Sequence, residues 1–318
     1  MKLSLRILGV LLVAIAVFAV AGIVATWAPD RSVESLKTRW APAPSQFVAV
    51  QGMPVHLRDE GPRDDPTPIV LLHGTAASLH TWDGWAAALV QQNRRVIRFD
   101  LPAFGLTGPH PQADYSIAAY TRFVIAVLDT LAVPQVVLGG NSLGGEIAWA
   151  TAVAAPARVQ KLLLVDAGGY PFAAQSVPLG FQMARLPGVR WLMQHVLPRG
   201  VVEKSARSVF GDPSKVTPEM VDRYYELTLR SGNRQALGQR FEQLVQTHGR
   251  DAGRIKTLTQ PTLVLWGGQD RLIPPDNAAQ FARDIRAAKV VLFPALGHVP
   301  HEEDPTATVT EVISFLKP

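Results

Sequence analysis

The feature that most constrains the fold is an alternation of short β-rich runs with helical stretches, which begins near Phe47 and continues to the C-terminus. Two runs, Phe47–Val50 and Val55–Arg58, flank Gly52 and predict a hairpin. The later runs are short and apolar throughout, which is typical of strands buried on both faces of a parallel sheet. Strands that alternate with helices predict an α/β fold with a mostly parallel sheet, right-handed crossovers and helices on both faces. These later runs are Ile69–Leu72, Val96–Phe99, Val136–Leu138, Leu162–Val165, Leu263–Trp266 and Val290–Phe293.

The alternation is interrupted after Val165, and the next clear strand begins only near Thr262. This gap is far longer than a structureless loop inside a compact domain, and it is rich in helix-forming residues and prolines. We therefore predict a helical insertion, which we call the cap. The predicted organisation is an apolar N-terminal segment (1–28), a linker (29–45), the first part of the core (46–170), the cap (171–257) and the second part of the core (258–318).

The N-terminal segment is apolar from Ile7 to Trp27 except at Thr26. At ~1.5 Å rise per residue, a helix of this length measures about 31 Å, close to the thickness of a bilayer's hydrocarbon core. We predict a transmembrane anchor, and the short basic N-terminus predicts that the rest of the chain lies outside the cytoplasm. The alternative is a signal peptide cleaved at Ala19-Val20-Ala21, which would release a secreted protein.

Composition excludes several classes of protein. The chain has no cysteine, which excludes disulfide scaffolds, thiolate metal sites and a cysteine nucleophile. The net charge is +5, and the cap carries the whole excess with 13 basic and 7 acidic residues. No nucleic-acid recognition motif accompanies these residues, so no nucleic-acid partner is predicted. The cap arginines form either a solvated face or a surface that faces an anionic membrane; they include Arg185, Arg190, Arg199 and Arg207.

A candidate nucleophile lies in the sequence Gly140-Asn141-Ser142-Leu143-Gly144, which is G-x-S-x-G. It directly follows the run Val136–Leu138 and opens a helical stretch, the strand–turn–helix context of a nucleophile elbow. Small residues two positions before and after Ser142 leave room for the strained turn. The hydroxyl then lies at a helix N-terminus, whose dipole favours developing negative charge.

A serine nucleophile needs a base and an orienting carboxylate. Of the eight histidines, His298 follows the last predicted strand at the carboxyl edge of the sheet and is the candidate base. His301 is the competing candidate, but it lies just before Asp304-Pro305, and this pair is typical of the start of a helix. Asp270 follows Leu263–Trp266 at the same edge and is the candidate acid, with Asp166 as the alternative.

The oxyanion that forms during acyl transfer needs two hydrogen-bond donors. The backbone amide of Leu143, next to the serine, is one candidate. The amide of Thr75, in the loop after Ile69–Leu72, is the other. His73, in the same loop, is assigned a structural role.

These motifs, taken in order, resemble the α/β-hydrolase fold superfamily over the range Phe47 to Pro318. The resemblance implies the triad Ser142, Asp270 and His298, a cap over the active site, a small-molecule acyl substrate and no cofactor or metal. One departure is Ala103, where relatives often carry glycine, so the backbone of that turn is expected to differ slightly. The motifs are Leu72-His73-Gly74, Phe99-Asp100-Leu101-Pro102, the elbow, Trp266-Gly267-Gly268-Gln269-Asp270 and Gly297-His298.

Within the superfamily, Ser142 excludes the haloalkane dehalogenases and epoxide hydrolases, which use an aspartate at the elbow. The elbow sequence and the apolar N-terminus favour the bacterial serine esterase and lipase-like branch. Carbon–carbon bond hydrolases, aminopeptidases, cofactor-free perhydrolases and non-catalytic binders of the same fold remain alternatives.

Overall fold

The computed structural model describes residues 2–185, 194–247 and 252–317. Within them, eight strands form one sheet in the order β1-β2-β4-β3-β5-β6-β7-β8. The β1–β2 and β2–β4 pairs are antiparallel, and the other pairs are parallel. The mostly parallel α/β sheet predicted from the sequence is therefore confirmed. The strands are β1 (Gln46–Val50), β2 (Met53–Glu60), β3 (Ile69–Leu72), β4 (Val96–Phe99), β5 (Val136–Asn141), β6 (Val159–Val165), β7 (Thr262–Gly267) and β8 (Ala288–Phe293).

Helices cover both faces of this sheet. Because side chains alternate along a strand, successive residues of β3 enter opposite cores. Val70 and Leu72 belong to the apolar cluster under the helices Ile117–Thr130 and Leu143–Ala154. Ile69 and Leu71 belong to the cluster under the helices Asp83–Gln91 and Pro305–Leu316. The helices are α1 (Lys2–Ala25), α2 (Val33–Trp40), α3 (Asp83–Gln91), α4 (Ile117–Thr130), α5 (Leu143–Ala154), α6 (Leu179–Ala184), α7 (Arg199–Arg207), α8 (Pro218–Thr228), α9 (Asn233–Thr247), α10 (Asp276–Asp284), α11 (Pro300–Glu303) and α12 (Pro305–Leu316). Helices α6 to α9 lie between β6 and β7, where the helical insertion was predicted.

The stretch predicted as a linker contains the helix α2, which is packed against the cap. Ser32 caps this helix by accepting a hydrogen bond from the Ser35 amide. Leu36 and Trp40 are buried against Leu227 of α8 in one apolar cluster. The indole N–H of Trp40 also donates to Glu226 (2.6 Å). Helix α2 is thus part of the folded structure around the cap.

The N-terminal prediction requires a correction. Among residues 2–185, 194–247 and 252–317, no helix is both long and apolar enough to cross a membrane. The prediction of a transmembrane anchor that holds the domain outside the cytoplasm is therefore wrong. Trp27, which ends the apolar segment, contacts the cap: its ring stacks on His195 at 5.3 Å, and it forms a β-bridge with Val196.

Two of the cap arginines singled out in the sequence form ion pairs inside the cap. Arg199 pairs with Asp222 (2.7 Å), and Arg207 pairs with Glu203 (3.0 Å). The guanidinium of Arg185 lies over the ring of Phe241, 5.0 Å from its centroid. Arg190 lies outside the described residues.

Candidate active site

Ser142 occupies the tight turn between β5 and α5. Its backbone has φ 54° and ψ −116°, a conformation that L-residues rarely adopt and that marks stored strain. The turn is packed so closely that a Cβ at Gly140 would lie 2.2 Å from the Gly144 carbonyl, and one at Gly144 would lie 2.1 Å from the Leu72 oxygen. Small residues are therefore required on both sides of the serine. The turn also places Ser142 before the first turn of α5, where helix amides are free to bind an anion.

This packing makes a stability prediction. We expect Gly144→Ala to lower the free energy of unfolding by about 1–3 kcal/mol or more, because the added methyl group overlaps backbone rather than a movable side chain. Gly200→Ala is the matched control: nothing lies within 4 Å of its added Cβ, and Gly200 lies in α7. The free energy of unfolding of this control should rise by about 0.4–1 kcal/mol. Urea unfolding of both variants checks this, and equal stability of the two would contradict the close packing.

His298 and Asp270 form a hydrogen-bonded pair at the carboxyl edge of the sheet. His298 Nδ1 lies 2.7 Å from Asp270 Oδ2, and both side chains are buried. The other oxygen of Asp270 accepts from the amides of Leu272 (2.8 Å) and Ile273 (2.9 Å). These two amides fix the carboxylate, and the fixed carboxylate orients the imidazole. The other ring nitrogen of His298, Nε2, is left available for proton transfer.

Asn141 connects the elbow to the histidine loop. Its side-chain amide donates to the carbonyl of His298 (2.9 Å) and to that of Val165 (3.1 Å). The His298 amide donates to the carbonyl of Val209 in the cap (2.7 Å). Ser142 and His298 line the same cavity. The structure therefore brings together all three predicted triad residues, with Asn141 as a tether that the sequence analysis did not single out.

The predicted oxyanion donors lie next to Ser142. Thr75 lines the cavity with the serine, and a Cβ at Gly74 would lie only 3.3 Å from Ser142 Cβ. Leu143 is the first residue of α5, so its amide has no acceptor within the helix. Two backbone N–H groups beside a nucleophilic hydroxyl are the donors that stabilise a tetrahedral oxyanion.

His73 links two loops beneath the cavity. Its Nδ1 lies 2.8 Å from the Gly74 carbonyl, and its Nε2 accepts from the Leu101 amide (2.9 Å). Nδ1 therefore carries the proton, and the ring is neutral. Burial lowers the pKa of His73, although the nearby Asp100 opposes this. Both nitrogens are engaged by backbone, so the ring supports the oxyanion loop.

Asp100 organises the loops around the cavity, a role that the sequence motif did not reveal. Its carboxylate contacts His56 Nδ1 (2.7 Å) and accepts from the amides of Leu79 and Leu106 (both 2.8 Å). Burial alone would raise the pKa of Asp100, but the contacts with His56 hold it well below its usual range. In the same turn, Ala103 has φ 83°, so an alanine adopts the left-handed conformation that glycine usually takes.

The two competing residues lie close to the pair but are held differently. His301 is fully buried in α11, with its ring 3.9 Å from that of Trp82, and burial holds its pKa well below normal. The predicted helix start beside it is confirmed: Asp304 caps α12 by accepting from the Ala307 amide. Polar atoms of Asp166, Asp270 and His298 lie within 4.8 Å of one another. A metal ion bound there would have to break the His298–Asp270 hydrogen bond.

Proteins of known sequence and structure resemble this chain along most of its length. The sequence pattern of the alpha/beta hydrolase fold family matches residues 67–305. A 2-hydroxy-6-oxo-2,4-heptadienoate hydrolase of Pseudomonas putida is 26% identical over 280 residues, which cover 85% of this chain and 95% of that protein. A 2-hydroxymuconate semialdehyde hydrolase of Pseudomonas sp. strain CF600 is 25% identical and covers 87% and 95%. A crystal structure described as a membrane phospholipase A, a bacterial virulence factor, is 27% identical, with a TM-score of 0.75 and coverage of 99% and 98%.

Proposed function

The chain belongs to the alpha/beta hydrolase fold family, and from this premise we propose that it is a serine hydrolase of carboxylic esters. The observation that carries the proposal is a cavity in which Ser142 and His298 meet an apolar wall supplied by the cap. In the proposed reaction, His298 takes the proton of Ser142 while the serine oxygen attacks the ester carbonyl. Asp270 holds the imidazole in the required tautomer and stabilises the imidazolium that forms.

The second half of the reaction uses the same groups. His298 gives its proton to the departing alcohol, and water, activated by the same imidazole, then hydrolyses the acyl group on Ser142. The amides of Thr75 and Leu143 donate to the oxyanion of each tetrahedral intermediate. Because these amides are fixed by the backbone, they need no reorganisation when charge develops.

The cavity wall fits the acyl part of such an ester. Its described lining is largely apolar away from Ser142 and His298, and the cap contributes most of this surface. An alkyl chain buried there gains about 0.8 kcal/mol per CH₂ group. The apolar lining includes Pro178, Phe181, Leu197, Val201, Leu237 and Val299.

Hydrolysis of a carbon–carbon bond in a 2-hydroxy-6-oxo-dienoate is the second candidate, because one of the similar proteins is a hydrolase named for such a dienoate. A dienoate is a carboxylate and needs a cationic partner when it is buried. On the described lining, the cationic side chain is Arg234, and its guanidinium pairs with Asp30 (2.5 Å). This pairing favours a neutral acyl group over a dienoate.

A panel of p-nitrophenyl esters of increasing acyl length tests the proposed substrate class. We expect kcat/KM to rise with acyl length until the cavity is full. Val201→Trp should end this rise earlier and lower kcat/KM for the longer esters about tenfold, which corresponds to the loss of about two CH₂ contacts. The shortest esters should be little affected, because they react at Ser142 without reaching Val201.

Val201→Ala is the matched control, since it enlarges the cavity at the same position. It should keep the wild-type kcat/KM for the longer esters and extend the range of acyl lengths that the enzyme accepts. If both variants show the wild-type dependence on acyl length, the cavity does not hold the acyl chain. If the wild-type protein cleaves a 2-hydroxy-6-oxo-dienoate but none of the esters, the second candidate replaces the first.

A further inference from the structure

Asp166 is a buried carboxyl that the proposed triad does not use. It directly follows β6 with φ 43°, and its side chain is fully buried. One oxygen, Oδ1, accepts from the Gly267 amide (2.9 Å). The other, Oδ2, is buried and receives no hydrogen bond from a donor among the described residues. A buried carboxylate oxygen with no donor is costly, whereas a protonated carboxyl can donate to a neighbouring acceptor.

The acceptor is the carboxylate of Asp270, which lies within hydrogen-bonding reach of the Asp166 carboxyl. One polar atom each of Asp166, Asp270 and His298 lies within 4.8 Å of the other two. Asp270 receives three hydrogen bonds, from His298 Nδ1 and from the Leu272 and Ile273 amides. Asp166 receives one. When two buried carboxyls adjoin, they do not both ionise, and the proton stays on the one with fewer donors.

The other charged groups around Asp166 also favour its protonated form. Glu303 is held as an acceptor by the amides of Gly211, Asp212 and Gly297, and its charge opposes ionisation of Asp166. The proton on His298 Nδ1 is directed at Asp270. Burial, followed by the charge of Asp270, raises the pKa of Asp166 well above its ordinary value.

We propose that Asp166 is a positioning residue: it keeps its proton and uses it to donate a hydrogen bond to Asp270. The donated hydrogen bond fixes the Asp270 carboxylate toward His298 and keeps a second negative charge away from the imidazole. No proton is transferred to substrate through Asp166. This inference rests on the proposed function for its role in catalysis, but the protonation of Asp166 can be measured without any substrate.

The test compares Asp166→Asn with Asp166→Ala. The asparagine amide is neutral, can accept from Gly267 and can donate to Asp270, so Asp166→Asn should keep kcat for ester hydrolysis within a few-fold of wild type. Asp166→Ala removes the hydrogen bond to a charged acceptor and should lower kcat about tenfold or more. Equal losses in both variants would overturn the positioning role.

The pH dependence of unfolding gives a readout that needs no substrate. In the unfolded chain an aspartate loses its proton near its ordinary pKa of 3.8, whereas folded Asp166 keeps it to higher pH. The folded state therefore binds more protons in this window, and ionisation of the unfolded chain lowers the stability of the wild type as pH rises. Asp166→Asn lacks this loss, so its urea midpoint should rise relative to wild type from pH 4 upward. A difference that does not vary with pH would contradict the proposal.

Infrared spectroscopy observes the proton directly. At neutral pH the wild-type protein should show the C=O band of a protonated carboxyl, and Asp166→Asn should lack it. Asp212→Asn is the control, because Asp212 is exposed and its hydrogen bonds with Ser214 lower its pKa, so the band should remain. A band unchanged in Asp166→Asn would overturn the inference. Absence of ester turnover with the band still present would count against the proposed function alone.

Discussion

Replacing Ser142 by alanine is expected to lower kcat for ester hydrolysis on the order of 10⁶-fold while leaving the fold intact. The change removes the proposed nucleophile but keeps the Cβ atom, so the packing of the elbow between Gly140 and Gly144 is preserved. Labelling by a fluorophosphonate, which reacts with an activated serine hydroxyl, should disappear in the same variant. The measurements are steady-state kinetics, labelling in a gel and the urea midpoint.

Ser208→Ala is the matched control for this experiment. Ser208 is exposed in the cap, and its hydroxyl donates to the Ser205 carbonyl. The control should retain wild-type turnover and labelling. Labelling that persists in Ser142→Ala at the wild-type rate would show that another residue is the nucleophile.

Replacing Asp270 by asparagine should lower kcat by about 10⁴-fold. The amide keeps the size of the carboxyl, but it cannot carry the charge that stabilises the imidazolium of His298. The 2.7 Å contact with His298 Nδ1 would also favour the wrong tautomer, because the side-chain NH₂ group can donate to the ring. The loss should appear mainly in kcat, since Asp270 does not contact the acyl chain.

Asp276→Asn is the control, since Asp276 is exposed at the first turn of α10. It should be indistinguishable from wild type. The decisive comparison is with Asp166→Asn, which should remain active. If Asp166→Asn loses activity and Asp270→Asn keeps it, then Asp166 is the catalytic acid and the assignment from the sequence is reversed.

The strands could be predicted from the sequence because their apolar runs are short and bounded by turn residues. The predicted run Ile69–Leu72 is the strand β3 itself. At β5 the prediction ended at Leu138, whereas the strand continues through Gly139, Gly140 and Asn141. These residues have little strand propensity, but they pair with β6, and tertiary pairing overrides local preference.

The meeting of the three predicted triad residues could also be predicted from the order of the motifs, because the carboxyl ends of parallel strands meet at one edge of the sheet. The contacts between distant segments carried no comparable local signal. Helix α2 packs against α8, which follows it by almost two hundred positions. No local sequence pattern predicts that contact. Trp27 was assigned to the predicted membrane anchor for the same reason: its partner His195 lies in the distant cap.

The role proposed for Asp166 likewise rests on contacts that the sequence does not show. Asp166 and Asp270 both follow predicted strands, and both were candidates for the acid. The choice depends on the number of donors each receives, which is set by the turn Asp270–Ile273 and by the hydrogen bond from Gly267.

The central claim is that Ser142 forms an acyl-enzyme with a carboxylic ester. The most direct test is to stop the reaction with a p-nitrophenyl ester by acid within the first turnover and to measure the mass of the peptide that contains Ser142. We expect this peptide to gain the mass of the acyl group on Ser142, and we expect no such gain in Ser142→Ala. Turnover of the ester with the acyl group on a different residue, or with no acylated peptide at any time during the first turnover, would contradict it.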